Sequence, residues 1–301
     1  MLPADDLKLY ASRPNPVAKY AEAVRRVESK IATEVDFDPG SHTILLTHGA
    51  KTAKAIIFAH GYASSPSPFK EIAAQFYERG YNVLVMAMPF HGLADRMNTK
   101  HAKLRAEDFM RYGDEVVDIA RGLGERVTMA GISCGGLITG WAAQQRPDVD
   151  LAVLISPGFG FKVIPRFWTP FMAWALRVLP NGYIWDDPVK KTNAPRPYNY
   201  VRASTHVLGE ILRLGLATQA LAQRKAPAAG SIVVITNLND PGVNNITTDR
   251  VVHLWRTCWG KDVQTYQFPV ELGLGHDIID VKDPNMNVPV VYPKLIELID
   301  Q

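Results

Sequence analysis

Five short, nearly uninterrupted apolar runs punctuate the chain: Ala55–Ala59, Val83–Ala87, Val127–Ala130, Leu151–Ile155 and Ile232–Ile235. Runs of this length without polar alternation predict strands covered on both faces. Between them, apolar residues recur at helical spacing. Ser67 and Pro68 read as the cap and first position of a helix carrying Phe69, Ile72, Ala73 and Phe76, which Gly80 ends. A second helix is expected from Ala106 to Arg121, with Phe109, Tyr112, Val116 and Ile119 inward, and a third from Cys134 to Gln145. Upstream, Asn15-Pro16 reads as a helix start, followed by Val17, Tyr20, Val24, Val27 and Ile31 at steps of three and four. The turn Asp38-Pro39-Gly40 leads to a strand over His42–Thr47, and the C-terminal part predicts a helix from Thr247 to Cys258, a strand from Gln264 to Val270 and a helix from Val290 to Ile299. Strands alternating with amphipathic helices indicate a mostly parallel sheet with helices on both faces, an α/β fold.

The alternation stops between Ile155 and Ile232, where residues 156–231 contain no strand-like run. They carry helical spacing at Val207, Leu208, Ile211, Leu212 and Leu214, and a concentration of aromatics. The expected organisation is an N-terminal helical extension (1–40), a core (41–157 and 230–301) and an inserted helical cap (158–229). Ligands of open parallel sheets bind beyond the carboxyl ends of the strands, where such a cap would lie. Phe159, Phe167, Trp168, Phe171 and Trp174 are therefore expected to line an apolar pocket for an acyl or aromatic group.

The serine chemistry stands on the segment Gly131-Ile132-Ser133-Cys134-Gly135, a G-x-S-x-G placed between a buried strand and a helix. Such a turn lifts a serine hydroxyl above the sheet, and the flanking glycines clear the space that side chains would block. A serine needs a positioned base, and the base needs an orienting carboxylate. In this layout they follow in the order serine, acid, histidine, each on a loop after a strand. Asp240, in Asn239-Asp240-Pro241-Gly242, is the carboxylate after the strand Ile232–Ile235, although an Asp before Pro-Gly also serves as an ordinary turn residue. His276, in Leu274-Gly275-His276-Asp277, is the only histidine beyond His253. Asp277 is too near His276 in sequence for its side chain to reach the far ring nitrogen, and Asp280 reads as capping or solvated. The oxyanion formed on attack needs donors, expected from the N–H groups of Cys134 and of Tyr62 in the loop His60-Gly61-Tyr62-Ala63. His60 and Gly61 would border the substrate. The Cys134 thiol reads as a small buried side chain without redox function.

Composition narrows the classes. The chain has 301 residues, 47% apolar and 21% charged, a soluble protein with a sizeable core. With 33 basic and 30 acidic residues and no Lys/Arg cluster, nucleic-acid binding is not expected. Two cysteines make neither a disulfide framework nor a four-cysteine metal site, and no grouping has metal-ligand or dinucleotide-loop spacing, so no cofactor or metal is expected. Lys162, Arg166 and Arg177 break the most apolar stretch, so no transmembrane segment is expected. The acidic start lacks a secretory pattern, and a cytoplasmic setting is expected.

His60-Gly61, Met88-Pro89-Phe90-His91-Gly92, the serine segment, Asn239-Asp240-Pro241-Gly242-Val243 and Leu274-Gly275-His276-Asp277 together resemble the α/β-hydrolase superfamily, within it the monoacylglycerol lipase, carboxylesterase and serine-aminopeptidase-like group. The likeness spans roughly residues 42–300. It implies a Ser–Asp–His hydrolase with a cap inserted after the sixth strand, and it departs from the group at Phe90, where many relatives carry a small residue. The expected activity is cleavage of small-molecule carboxylic esters through an acyl-enzyme on Ser133. Amide or carbamate hydrolysis, acyl transfer, and a ligand receptor on a hydrolase scaffold remain open alternatives.

Overall fold

The computed structural model describes residues 11–186 and 198–300. Each apolar run becomes a strand. In chain order the strands are β1 (Ile44–Leu46), β2 (Thr52–Ala59), β3 (Tyr81–Val85), β4 (Gly124–Ile132), β5 (Leu151–Ile155), β6 (Tyr183–Trp185), β7 (Arg202–Ser204), β8 (Ser231–Asn237) and β9 (Val263–Phe268). Seven of them form one sheet in the order β1-β3-β2-β4-β5-β8-β9. All neighbours are parallel except β1, which runs antiparallel on β3. The helices are α1 (Tyr20–Ile31), α2 (Lys70–Glu78), α3 (Ala106–Leu123), α4 (Cys134–Gln145), α5 (Thr169–Val178), α6 (Thr205–Arg224), α7 (Asn245–His253) and α8 (Val288–Ile299).

The strands are apolar throughout because both faces are covered. On β2, Ala55, Ile57 and Ala59 face a core shared with α1, α3, α4 and α6, while Ile56 and Phe58 face a second core with α2 and α8. The same alternation runs along β5, with Ala152 and Leu154 on the first face and Leu151, Val153 and Ile155 on the second. Each such fully buried Ile, Leu or Phe contributes roughly 1.5–3 kcal/mol. The architecture is the expected α/β-hydrolase fold.

Local starts differ from expectation. Helix α1 begins at Tyr20, not at Asn15-Pro16. The N–H groups of Arg13 and Asn15 instead donate to the carboxylates of Asp114 and Asp118 on α3 (both 3.1 Å), and Val17 N–H donates to Asp118 O (2.9 Å). With those donors satisfied across the structure, the segment stays outside the helix. Ser67 caps nothing: residues 67–69 form a 3-10 turn, and Ser67 N–H donates to Ser65 Oγ at 3.2 Å. The region between β5 and β8, which leaves the sheet after Leu151–Ile155, is not wholly helical. β6 and β7 pair antiparallel, and the Arg202 guanidinium lies over the rings of Tyr183 (4.1 Å) and Trp185 (5.3 Å). Helix α5 packs on α6 through Ala173 and Leu212.

Candidate active site

Strand β4 ends at the carboxyl edge of the sheet, and Ser133 sits on the turn into α4 with φ 59 and ψ −117. This backbone region costs a residue with a side chain of order 1–3 kcal/mol and persists only when neighbours hold it. Ser133 N–H donates to Ile155 O (3.0 Å), and Ser133 O accepts from Gly158 N–H and Leu137 N–H (2.9 Å each). The flanking glycines are sterically required: a Cβ on Gly135 would lie 2.0 Å from Ala59 O, and one on Gly131 2.4 Å from the Gly135 carbonyl.

Asp240 follows β8 and is fully buried. Its Oδ1 accepts from Gly242 N–H (2.8 Å) and Val243 N–H (3.0 Å), and its Oδ2 lies 2.8 Å from His276 Nδ1. Burial alone would raise this carboxyl; the His276 hydrogen bond and charge, with the two backbone donors, outweigh it and hold the group below its ordinary value. The His276 loop is fastened to β8 by Asn237, whose Nδ2 donates to Leu274 O (3.0 Å) and Gly275 O (2.7 Å). Lys162 Nζ donates to Asp240 O at 2.6 Å, a fastening with no sequence signal. Asp277 Oδ1 accepts from the N–H groups of Ile279 (3.1 Å) and Asp280 (3.2 Å). Asp280 is not solvated: it is buried, accepts from the Tyr198 hydroxyl, and its Oδ1 accepts from Lys282 N–H at 2.9 Å.

The loop after β2 runs past Ser133, with Gly61 close enough that a Cβ there would lie 3.6 Å from Ser133 Cβ. Tyr62 follows, and Ala63 has a left-handed φ of 62. Cys134 N–H stands in the first turn of α4, where no intrahelical acceptor exists and the helix dipole favours negative charge. Burial pushes the Cys134 thiol up, so it stays protonated. Two buried histidines back the loop. His60 Nδ1 donates to Gly61 O (2.8 Å) while Nε2 accepts from Met88 N–H (3.0 Å). His91 Nδ1 donates to Pro89 O (3.0 Å) while Nε2 accepts from Ala63 N–H (3.1 Å). Those partners require both rings neutral. Burial accordingly pushes His60 down to about 4 and His91 well below its ordinary value.

Ser133, His276, Gly61, Tyr62 and Cys134 line one cavity of about 370 Å³. Its apolar wall includes Phe161, Leu208, Ile211 and Ile132, and its polar groups include Ser64, Asp186, Asn199, Tyr200 and Asp277. Of the pocket residues expected from sequence, only Gly61 is among them. His60 lies behind the loop, fully buried. Phe159 is fully buried under α4 and α6, where Gly140 and Gly215 make room for it. Phe167, Trp168, Phe171 and Trp174 line the outside: they are 77%, 48%, 50% and 45% exposed and meet one another in tilted and edge-on contacts from the 3-10 turn at 166–168 into α5. Leu208 and Ile211 reach the cavity because α6 presents one apolar stripe to both core and cavity, which periodicity could not separate. Among the described residues no His, Cys, Asp and Glu cluster suited to a metal occurs, and no helix is long and apolar enough to cross a membrane.

Residues 50–224, more than half of the chain, match the family described as serine aminopeptidase, S33. The chain belongs to this family of α/β-hydrolases. Solved structures of the same fold include a metagenome-derived lipolytic enzyme (17% identity, TM-score 0.62, covering 87% of this chain and 98% of that one). The monoacylglycerol lipase of Paleococcus ferrophilus is similar at 16% identity and TM-score 0.63, over 86% of this chain and 97% of that one. A soluble variant of the Saccharomyces cerevisiae monoglyceride lipase, in complex with a substrate analogue, is similar at 12% identity and TM-score 0.62, over 86% and 90%. No curated protein matches the chain. At these identities the likeness shows the fold.

Proposed function

We propose that this α/β-hydrolase cleaves carboxylic esters of small molecules through an acyl-enzyme on Ser133. The observation that carries the reading is the Asp240–His276 contact, 2.8 Å between loops that follow two different strands, opening on the cavity that holds the strained Ser133 turn. Asp240 accepts the Nδ1 proton, which leaves His276 Nε2 with a lone pair toward the cavity. His276 takes the Ser133 proton as Oγ bonds to the ester carbonyl carbon. The carbonyl oxygen becomes an oxyanion, bound by the N–H groups of Cys134 and Tyr62. The intermediate collapses, the C–O bond to the alcohol breaks, and His276 returns the proton to the leaving alkoxide. Water, deprotonated by His276, then attacks the acyl-enzyme and releases the acid and free Ser133. Residues 158–229 serve as a cap on the core 41–157 and 230–301, with residues 1–40 as an extension. The apolar wall of Phe161, Leu208 and Ile211 suits the acyl or aromatic part of the ester.

That solved structures of the same fold include a lipolytic enzyme and two monoacylglycerol lipases favours an ester over an amide or carbamate. A fluorophosphonate probe with intact-mass detection tests the site: one adduct is expected, mapped to Ser133 and absent from Ser133→Ala. A panel of p-nitrophenyl esters, anilides and carbamates tests the substrate class, with turnover expected on the esters. Labelling elsewhere, or tight binding of esters without turnover, overturns the proposal.

A further inference from the structure

Resting on the active-site reading above, we infer that the Tyr62 phenol is a positioning group that makes the oxyanion donor depend on residues 200–204 of the inserted segment. Two backbone N–H groups of that segment grip the loop. Ser204 N–H donates to Tyr62 Oη at 3.1 Å, and Tyr200 N–H donates to Ala63 O at 2.9 Å. One bond holds Tyr62 at the tip of its side chain and the other holds the Ala63 carbonyl, and Ala63 has a left-handed φ that its own side chain disfavours. His91 Nε2 in turn accepts from Ala63 N–H, so the strained residue is held by both the core and the inserted segment. The Tyr62 ring sits among the rings of His91 (5.6 Å) and His101 (5.8 Å), and Tyr200 stacks on both histidines (5.8 and 4.9 Å). Tyr200 in turn fastens the next loop, its hydroxyl donating to Phe90 O at 2.6 Å.

None of these phenol contacts belongs to the proton path from Ser133 to Asp240. Their geometric consequence is the direction in which Tyr62 N–H points. Displacing the 200–204 segment frees Ala63 to relax and swings that N–H away from the oxyanion, while the serine, imidazole and carboxylate stay where they are. The insertion therefore acts on turnover through one hydrogen bond as well as by shaping the cavity.

A double-mutant cycle in the full chain tests this. Tyr62→Phe removes the acceptor and keeps the ring. Ser204→Pro removes the donor at a residue whose φ is already −71 and whose predecessor Ala203 lies in an extended strand. With kcat counted per fluorophosphonate-reactive site, Tyr62→Phe is expected to lose roughly 10- to 100-fold in kcat with KM within about twofold. Ser204→Pro should do the same, and the double variant should lose no more than either single. Binding of a boronic acid that forms a tetrahedral adduct should weaken in proportion to kcat. Additive losses, or a Tyr62→Phe enzyme with full kcat, overturn the coupling while leaving the active-site reading intact. Turnover and labelling that survive Ser133→Ala overturn the active-site reading itself. If Ser204→Pro does not fold, kcat and boronate affinity of Tyr62→Phe decide alone. A lowered Tm with both unchanged marks a purely structural phenol and refutes the inference.

Discussion

Acidification should begin to destabilise this protein from about pH 6 downward, before most carboxylates titrate, because three histidines are buried in neutral form around the loop behind Ser133. His60, His91 and His101 are all fully buried. Burial lowers all three, with the Arg202 charge adding for His101 and the neighbouring histidines for His91: His60 and His101 go from 6.5 to about 4, and His91 lies well below its ordinary value. The unfolded chain takes up protons near pH 6.5 and the native chain only near 4, so between these values the unfolded state binds more protons and stability falls as pH falls. Each group contributes at most about 1.4 kcal/mol per pH unit, so three give a ceiling of about 4 kcal/mol per unit. The carboxyls of Asp118 and Asp249, raised by burial, gain protons in the lower part of this window and offset some of the loss. From about pH 6 to about 4.5 the loss approaches roughly 6 kcal/mol, comparable with the whole stability of many domains. Urea unfolding followed by tryptophan fluorescence at about pH 7, 6 and 5 measures it. Among the described residues neither ring nitrogen of His101 has a hydrogen-bond partner, so His101→Phe removes one titrating group without stranding another and should shallow the slope by about one proton. A midpoint that stays level down to about pH 5 would refute the claim that these rings are held neutral.

Three further outcomes follow from the geometry. Asp240→Asn should keep the fold but lower turnover by about 10⁴, near 5.4 kcal/mol on the barrier, because the amide favours the wrong His276 tautomer; p-nitrophenyl ester kinetics read this, and a loss under tenfold would assign the role elsewhere. Gly135→Ala should yield little folded protein, since its Cβ would fall 2.0 Å from Ala59 O, and circular dichroism with Tm checks it. Phe159→Ala should cost roughly 3–5 kcal/mol of stability, whereas Trp168→Gln, on the half-exposed turn that leads into α5, should change stability by less than about 0.5 kcal/mol and leave KM for a short ester unchanged, measured by urea unfolding and initial rates.

The alternation of apolar runs with amphipathic helices was enough to establish a parallel sheet covered on both sides, because strands such as Ala55–Ala59 have no polar residue to turn toward water. It also located the serine turn, since glycines on both sides of Ser133 are a steric demand written into the sequence itself. The order of Asp240 and His276 after their strands was equally legible; their 2.8 Å contact was not, because it depends on β8 and β9 lying side by side. Which aromatics reach a cavity was undecidable from composition. Phe159 and Trp168 are alike as apolar side chains, and only the placement of α5 and α6 sends one into the core and the other to solvent. The N-terminal strap was likewise hidden: Asn15-Pro16 reads as a helix start until the Asp114 and Asp118 carboxylates, about a hundred residues away, claim its donors. Local sequence determines the elements, since propensity and burial periodicity act within a few residues. The site belongs to tertiary structure, since hydrogen bonds between loops and the desolvation of His60, His91 and Asp240 exist only when distant segments pack together.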